Sequence, residues 1–193
     1  MSLVLLPVLI VYATLRVAFW TRGQWRFYRL RRDLPRARAP AVPPPHLAAP
    51  LVRLLGDSHA QRVRLADSAR RIATALIVDP DVPFGVVRDF NYRLALAEAW
   101  SATTAWLAAW DALGEHERLH LEELGYTPHT FAEHRDRLGV AVRKSVRAPA
   151  LEPFAVAEVA AAQRLVLALI DDLDACERAL VSAPLQTPYR AVA

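Results

Sequence analysis

Residues 2–20 form a continuous apolar run, SLVLLPVLIVYATLRVAFW, in which Arg16 carries the only charge. A helix of this length spans about 28 Å, close to the hydrocarbon thickness of a bilayer. Arg16 lies one turn from the end, so its guanidinium can reach the headgroups. No basic residue precedes the run, and the bulky Phe19 and Trp20 stand where a signal peptide needs small residues. We therefore expect an uncleaved transmembrane anchor over residues 1–20.

The segment 21–34 is rich in arginine and aromatic side chains and contains one acid, Asp33. Tryptophan and tyrosine rings are enriched where a span meets water, and each arginine near an anionic leaflet gains about 1 kcal/mol. Because the early positive charges lie C-terminal to the span, the positive-inside rule places the N-terminus in the periplasm and the following domain in the cytoplasm, at the cell inner membrane. The residues predicted to lie at the membrane interface are Arg16, Trp20, Arg22, Trp25, Arg26, Phe27, Tyr28, Arg29, Arg31 and Arg32.

The formal net charge of +4 averages two unlike parts of the chain. Residues 1–56 carry nine arginines and one acid, whereas residues 57–193 carry fifteen basic residues and nineteen acids. The basic character therefore belongs to the N-terminal part, and no nucleic-acid partner is predicted. Cys176 is the only cysteine, which excludes an intrachain disulfide and a cysteine-based zinc cage.

Residues 35–50 contain six prolines, which prevent a regular helix and favour an extended path. Such a segment can be a plain spacer. It can also lie along a partner, because an extended proline segment loses little entropy on docking. Both interpretations stay open, and we select the prolines and one tryptophan as predicted partner contacts. These residues are Pro35, Pro40, Pro43, Pro44, Pro45, Pro50 and Trp106.

Residues 51–182 show helical rather than alternating hydrophobic patterns, which predicts an all-α cytoplasmic domain followed by a C-terminal tail at 183–193. Ser58 and Gln61 have the spacing of a capping box, so we place the start of the first helix near residue 59. The predicted helices cover 59–78, 84–113 and 115–124, then a stretch that begins at Pro128, and finally 153–181. Four long helices with short connections predict an antiparallel bundle behind a single N-terminal transmembrane helix.

The spacing of apolar residues predicts which side of each long helix is buried. In the first helix this side contains Leu65, Ala69, Ile72 and Leu76. In the second helix it contains Phe90, Leu94, Ala97, Trp100, Leu107 and Trp110. In the helix that begins at Pro128 it contains Phe131, Leu138, Val142 and Val146. In the last helix it contains Val159, Val166, Leu169, Ile170, Leu173, Cys176 and Leu180.

The sequence His116-Glu117-Arg118-Leu119-His120 matches the H-E-x-x-H pattern of zinc metalloproteases. On a helix the two histidines lie one turn apart and can bind one zinc ion, while the glutamate activates water. The candidates for a third ligand are His129, Glu133 and His134. The motif lies on a short, highly charged helix directly after Gly114 and lacks the longer metzincin spacing. We therefore predict no metal and no cofactor, and keep His116 and His120 as weak metal candidates.

Two further clusters have both a structural and a functional interpretation. Trp100, Trp106 and Trp110 can fill the core of the bundle or form a contact surface. The acids Asp171, Asp172, Asp174 and Glu177 are expected on the solvent face, with Arg178 paired to Asp174 four residues away. The sequence contains no phosphate-binding glycine loop and no nucleophile elbow.

These features predict a non-catalytic accessory subunit that is anchored in the membrane and stabilises a larger membrane protein complex, such as a photosynthetic or respiratory assembly. Its expected partners are membrane lipids and integral membrane subunits, with no small-molecule substrate. Two alternatives stay open. One is a membrane-tethered zinc hydrolase that uses the HERLH motif, and the other is a membrane-bound signalling or lipid-sensing adaptor.

Overall fold

The computed structural model describes Thr14 and residues 39–77, 85–149 and 154–182. Within these ranges the chain forms five α-helices and no β-strand, so the prediction of an all-α helical bundle is confirmed. The helices are α1 (Ala49–Ile77), α2 (Gly85–Asp111), α3 (Glu115–Glu123), α4 (His129–Arg147) and α5 (Val156–Val181). Four of them are long, and α3 is a short helix of nine residues.

The four long helices pack in a ring in which α2 contacts α1 and α4, and α5 contacts the same two helices. Arg71 of α1 bonds Glu98 of α2, and Ser58 bonds Trp106. Lower numbers on α1 thus meet higher numbers on α2, so these helices are antiparallel. Helices α2 and α4 are also antiparallel, since Arg93 bonds Ser145 and Trp106 packs against Phe131. The same holds for α4 and α5, where His134 pairs with Asp172 and Lys144 with Glu158.

Helix α1 begins ten residues before the predicted start. It runs from Ala49 through Gly56 and Ser58 without a break. Leu51, Leu54 and Leu55 are buried in this first part. Their burial outweighs the roughly 1 kcal/mol that a glycine costs inside a helix. The prediction that Ser58 caps the helix is therefore wrong.

The buried side of α5 agrees with the prediction at every selected position. The buried residues include Val159, Val166, Leu169, Ile170, Leu173, Cys176 and Leu180. Leu65, Ala69 and Ile72 of α1 are also buried, while Leu76 is half-buried. Regular apolar spacing was sufficient in these two helices because polar residues mark their opposite sides.

The prediction for the buried side of α2 is wrong at its first three positions. Phe90 is 63% exposed and Leu94 is 40% exposed, and Ala97 also faces solvent. The buried residues of the helix include Tyr92, Ala95, Leu96, Ala99, Ala102 and Trp106. The inner side of α2 thus combines large buried side chains with alanines, which let the neighbouring helix axes approach closely.

In α4 the predicted buried side is correct at Phe131 and Leu138, and Val142 packs partly buried against the core. Val146 is 73% exposed, so the prediction is wrong at this position. It lies in the last turn of the helix, which ends at Arg147.

The interface of α1 with α5 contains a buried ion pair. Arg62 donates from Nε to Oε1 of Glu177 at 2.7 Å and from Nη2 to Oε2 at 3.0 Å. Both residues are at most 5% exposed. The prediction that Glu177 lies on the solvent face is therefore wrong, whereas the expected Arg178–Asp174 pair is confirmed at 3.4 Å.

The predicted anchor and the segment after it lie outside the described residues, with the exception of Thr14. The same holds for all ten predicted membrane-interface residues, for Pro35 and for the tail at 183–193. None of the helices in the described ranges has the length and apolar character needed to cross a membrane.

Candidate functional site

The HERLH motif lies in α3, and Gly114 directly precedes this helix. The carboxylate of Glu117 folds back over this glycine, since a Cβ added at Gly114 would lie 2.4 Å from Glu117 Oε2. A carboxylate in the first turn interacts favourably with the helix N-terminus. Glu117 thus has a local structural role that is independent of any metal.

His46 joins the two histidines of the motif around a small cavity of about 50 Å³. The cavity is lined by His46, Leu47, Ala48, Leu51, His116, Glu117 and His120. Sequence analysis missed His46 because it lies in the proline-rich segment, far from the motif along the chain. Within the described ranges, no three His, Cys, Asp or Glu side chains are grouped so that they could hold a metal ion. His116 and His120 therefore remain weak candidates.

The other ligand candidates have different surroundings. His134 Nδ1 lies 2.9 Å from Asp172 Oδ2 across the interface of α4 with α5. His129 and Glu133 are exposed on α4. None of these three candidates forms a metal-binding group with His116 and His120 among the residues that the structure describes.

Trp106 and Trp110 belong to the core. Trp106 is fully buried, its ring centroid lies 4.4 Å from that of Phe131, and its indole N–H donates to Ser58 Oγ at 2.8 Å. Trp110 packs against Tyr126 with a centroid distance of 5.7 Å. The prediction that Trp106 contacts a partner is therefore wrong, because its side chain has no exposed surface.

Trp100 is the one tryptophan of the set with partial exposure. Its ring lies over the backbone of α4 at Gly139, where an added Cβ would come within 2.6 Å of the ring. Arg135 also lies on α4, and its guanidinium is 5.5 Å from the centroid of the Trp100 ring. Trp100 thus fixes how closely α2 and α4 approach, and Gly139 makes that distance possible.

The thiol of Cys176 is buried between α5 and α1. Ser58 Oγ donates to its sulfur at 3.8 Å, and burial raises the pKa of Cys176 to about 12. The thiol is therefore protonated at neutral pH and is a poor nucleophile. Burial also raises the pKa of Tyr126 beside it. These groups form a polar patch inside the core, and their protonated forms are favoured there.

The side of α2 that faces away from the bundle is uncharged between residues 87 and 108. We call it the outer face of α2, and it consists of Val87, Phe90, Asn91, Leu94, Ala97, Ser101, Thr104, Ala105 and Ala108, all exposed. It extends for about 32 Å along the helix. Soluble helices normally place charged and polar residues on such a side. An exposed, uncharged face of this length is therefore typical of a contact surface.

The charged residues within this stretch of α2 all point away from the outer face. Arg88 and Asp89 are buried and pair with each other, with Nη2 and Oδ1 2.7 Å apart. Arg93 donates to backbone carbonyls at the end of α4. Glu98 pairs with Arg71 of α1 at 3.0 Å. The side chains of α2 itself thus place no charge on the outer face, although Arg64 of α1 reaches it, with Nη2 donating to Ser101 Oγ at 3.3 Å.

The described part of the proline-rich segment lies against the bundle. Ala41 and Leu47 pack on the core, and a turn closes where the Leu47 N–H donates to the Pro44 carbonyl at 3.0 Å. Pro40, Pro43 and Pro45 are exposed, while Pro44 and Pro50 are half-buried. The partner contacts predicted for these prolines stay a prediction.

Comparison of the chain with protein-family models, with curated proteins and with solved structures finds no match.

Proposed function

We propose that the protein is a non-catalytic, membrane-anchored accessory subunit that docks on a larger membrane protein complex through the outer face of α2. The observation that carries this proposal is the exposed and uncharged character of that face over residues 87–108. The apolar run 2–20 and the arginine-rich segment after it supply the membrane attachment.

The outer face has two parts that favour a helix as its partner. Val87, Phe90 and Leu94 are large and at least 40% exposed, and complete burial of each such side chain gains about 1.5–3 kcal/mol. The second part consists of small residues at intervals of three or four, namely Ala97, Ser101, Thr104, Ala105 and Ala108. Small residues at this spacing let a second helix approach closely.

The chemistry of the partner follows from the missing charges. A charged partner surface would be desolvated on the apolar part of this face, at Val87, Phe90 and Leu94, without receiving a counter-ion, which is unfavourable. The occupant that fits is an uncharged helix of an integral membrane subunit. Anchoring both proteins in one membrane raises their effective concentration, so a modest contact area is sufficient for stable association.

The test uses the full-length chain purified from native membranes in mild detergent. The double variant Phe90→Glu with Leu94→Glu places two charges on the outer face. We expect the wild-type chain to co-migrate with an integral membrane subunit in fixed stoichiometry, and the double variant to run alone. The matched control is Ala60→Glu with Val63→Glu at exposed positions of α1, which should leave the association unchanged.

The other occupants of the face give different results in the same experiment. A homodimer that the double variant dissociates would assign the face to a second copy of the chain. If deletion of residues 1–34 unfolds the remaining bundle, residues 2–20 cover the face themselves. Retention of the complex by the double variant would contradict docking through α2.

The two alternatives predict other outcomes. A free monomer in detergent with transient soluble partners would support the adaptor. Stoichiometric zinc in the purified chain, lost on His116→Ala, would support the hydrolase and overturn the non-catalytic assignment. A Glu117→Gln variant that keeps zinc and loses hydrolysis would then identify the glutamate as the general base.

A further inference from the structure

A groove of about 620 Å³ opens between the C-terminal end of α4 and the N-terminal end of α5. Three basic side chains and one acid line it, together with apolar and small residues. The lining consists of Val140, Arg143, Lys144, Arg147, Ala148, Pro149, Phe154, Ala155 and Glu158. None of these residues belongs to the outer face of α2, so an inference about the groove is independent of the proposed docking.

The groove has an excess of positive charge. Lys144 pairs with Glu158, which is the one acid that lines the groove among the described residues. Arg143 and Arg147 are exposed, and neither forms an ion pair within the described part of the chain. The guanidinium groups of Arg143 and Arg147 can therefore bind an anion that enters the groove.

Basic residues near a helix C-terminus often serve only to bind the last backbone carbonyls. Here Arg93 of α2 takes that role. It donates to the carbonyl of Ser145, and from Nη2 to those of Ala148 at 3.1 Å and Pro149 at 3.2 Å. Its guanidinium also lies 4.8 Å from the ring centroid of Phe154. Arg143 and Arg147 are therefore not needed to cap α4.

The opposite wall of the groove is the start of α5. Ala155 precedes this helix in an extended conformation, without a side-chain cap. The N–H groups of Glu158 and Val159 both donate to the Ala155 carbonyl. The dipole of the helix favours an anion at this end.

We propose that this groove binds a phosphate group, with Arg143 and Arg147 as its counter-ions. Arginine is suited to this because its planar guanidinium matches two phosphate oxygens at once. Apolar side chains adjoin the cations, since Val140 and Phe154 line the groove and Val140 is 57% exposed. The phosphate can therefore come from a phospholipid headgroup, with its glycerol and acyl part on Val140, or from a soluble phosphate ester.

The test measures binding to the full-length chain in neutral detergent by isothermal titration. One probe is inorganic phosphate and the other is a short-chain phosphatidic acid. The variant is Arg143→Gln with Arg147→Gln. Since each arginine contributes about 1 kcal/mol to an anionic contact, we expect the double variant to bind about 10- to 30-fold more weakly. The matched control is Arg137→Gln with Arg164→Gln, which removes the same charge from α4 and α5 outside the groove.

The two probes distinguish the two sources of phosphate. Binding of the lipid alone assigns the groove to a phospholipid headgroup. Binding of both probes with similar affinity shows that the phosphate group is sufficient. In either case the loss must be specific to the groove variant, with unchanged far-UV circular dichroism.

Three outcomes would overturn the proposal. These are no binding of either probe to the wild-type chain, full binding by the groove variant, and an equal loss in the control.

Discussion

Helices α1 and α2 are antiparallel neighbours of similar length, with 29 and 27 residues, but their exposed sides differ. The exposed side of α1 carries charges along its length, namely Arg53, Asp57, Arg64, Arg70 and Arg71. The outer face of α2 carries none between residues 87 and 108. The two helices share one core, but their exposed sides are suited to different surroundings. The side of α1 is suited to water, whereas that of α2 is suited to another apolar surface.

The buried sides of the same two helices also differ. Helix α1 contributes Arg62 to a buried ion pair with Glu177 of α5, whereas the buried pair of α2, Arg88 with Asp89, forms within that helix. The rest of the core side of α2 consists mainly of alanines and aromatic rings. A buried ion pair adds little net stability, but it penalises any arrangement in which one partner is left alone. We infer that the pair selects the register of α1 against α5. The contact of α2 with its neighbours instead depends on shape.

The largest predicted effect tests the ion pair. Glu177→Ala leaves the Arg62 guanidinium buried without a counter-ion, which should lower the free energy of unfolding by about 3–5 kcal/mol. The measurement is chemical denaturation of the full-length chain in detergent, followed by far-UV circular dichroism. The control replaces both partners, Arg62→Met with Glu177→Met, and should recover most of the loss. Equal destabilisation by the single and the double variant would show that the charges are not what matters.

The second prediction compares the two sides of α2. Leu96 is fully buried, and Leu96→Ala should cost about 2–5 kcal/mol of unfolding free energy through lost contacts and a cavity. Leu94→Ala makes the same chemical change on the outer face and should stay within about 0.5 kcal/mol. Denaturation of both variants in parallel checks this difference. A large loss for Leu94→Ala in the isolated chain would mean that the outer face is already covered within this protein.

The third prediction compares two helical glycines. At Gly139 a Cβ would lie 2.6 Å from the Trp100 ring, so Gly139→Ala should destabilise the bundle by about 1–3 kcal/mol. At Gly56 nothing lies within 4 Å of the added Cβ, and Gly56→Ala should stabilise α1 by about 0.5–1 kcal/mol. Thermal unfolding of the two variants should therefore shift in opposite directions. A stabilising Gly139→Ala would show that α2 and α4 approach less closely than the structure indicates.

The contrast between α5 and α2 shows which parts of the fold could be predicted. In α5, Asp171 and Asp174 alternate with apolar positions, so the helical period has one solution and the buried side was assigned correctly. In α2 almost every position between the charges is apolar or small, and two sides of the helix compete for the core. Periodicity then does not distinguish the two sides, and packing against α1 and α4 decides that Tyr92, Leu96 and Trp106 are buried.

The candidate sites show the same limit. The histidines of the HERLH motif were identified from local spacing, but His46 was not, because only the turn of the proline-rich segment brings it to the same cavity. The sequence did not predict the groove for a similar reason, because Arg143 and Arg147 line it only where the start of α5 packs beside α4. The spacing of residues along the chain predicts which side chains lie together on one helix. A site that is formed by two helices depends on how those helices pack.

By itself the sequence determined that the described part of this protein is helical, where most of its helices end, and which side of α5 is buried. Those properties depend on residues within a few positions of one another, through backbone hydrogen bonds and the helical period. Only the tertiary structure decided which side of α2 faces the core, that Glu177 pairs with Arg62, and that Trp106 is buried. These depend on the shape and charge of partners on other helices, distant along the chain, and local patterns carry no information about them.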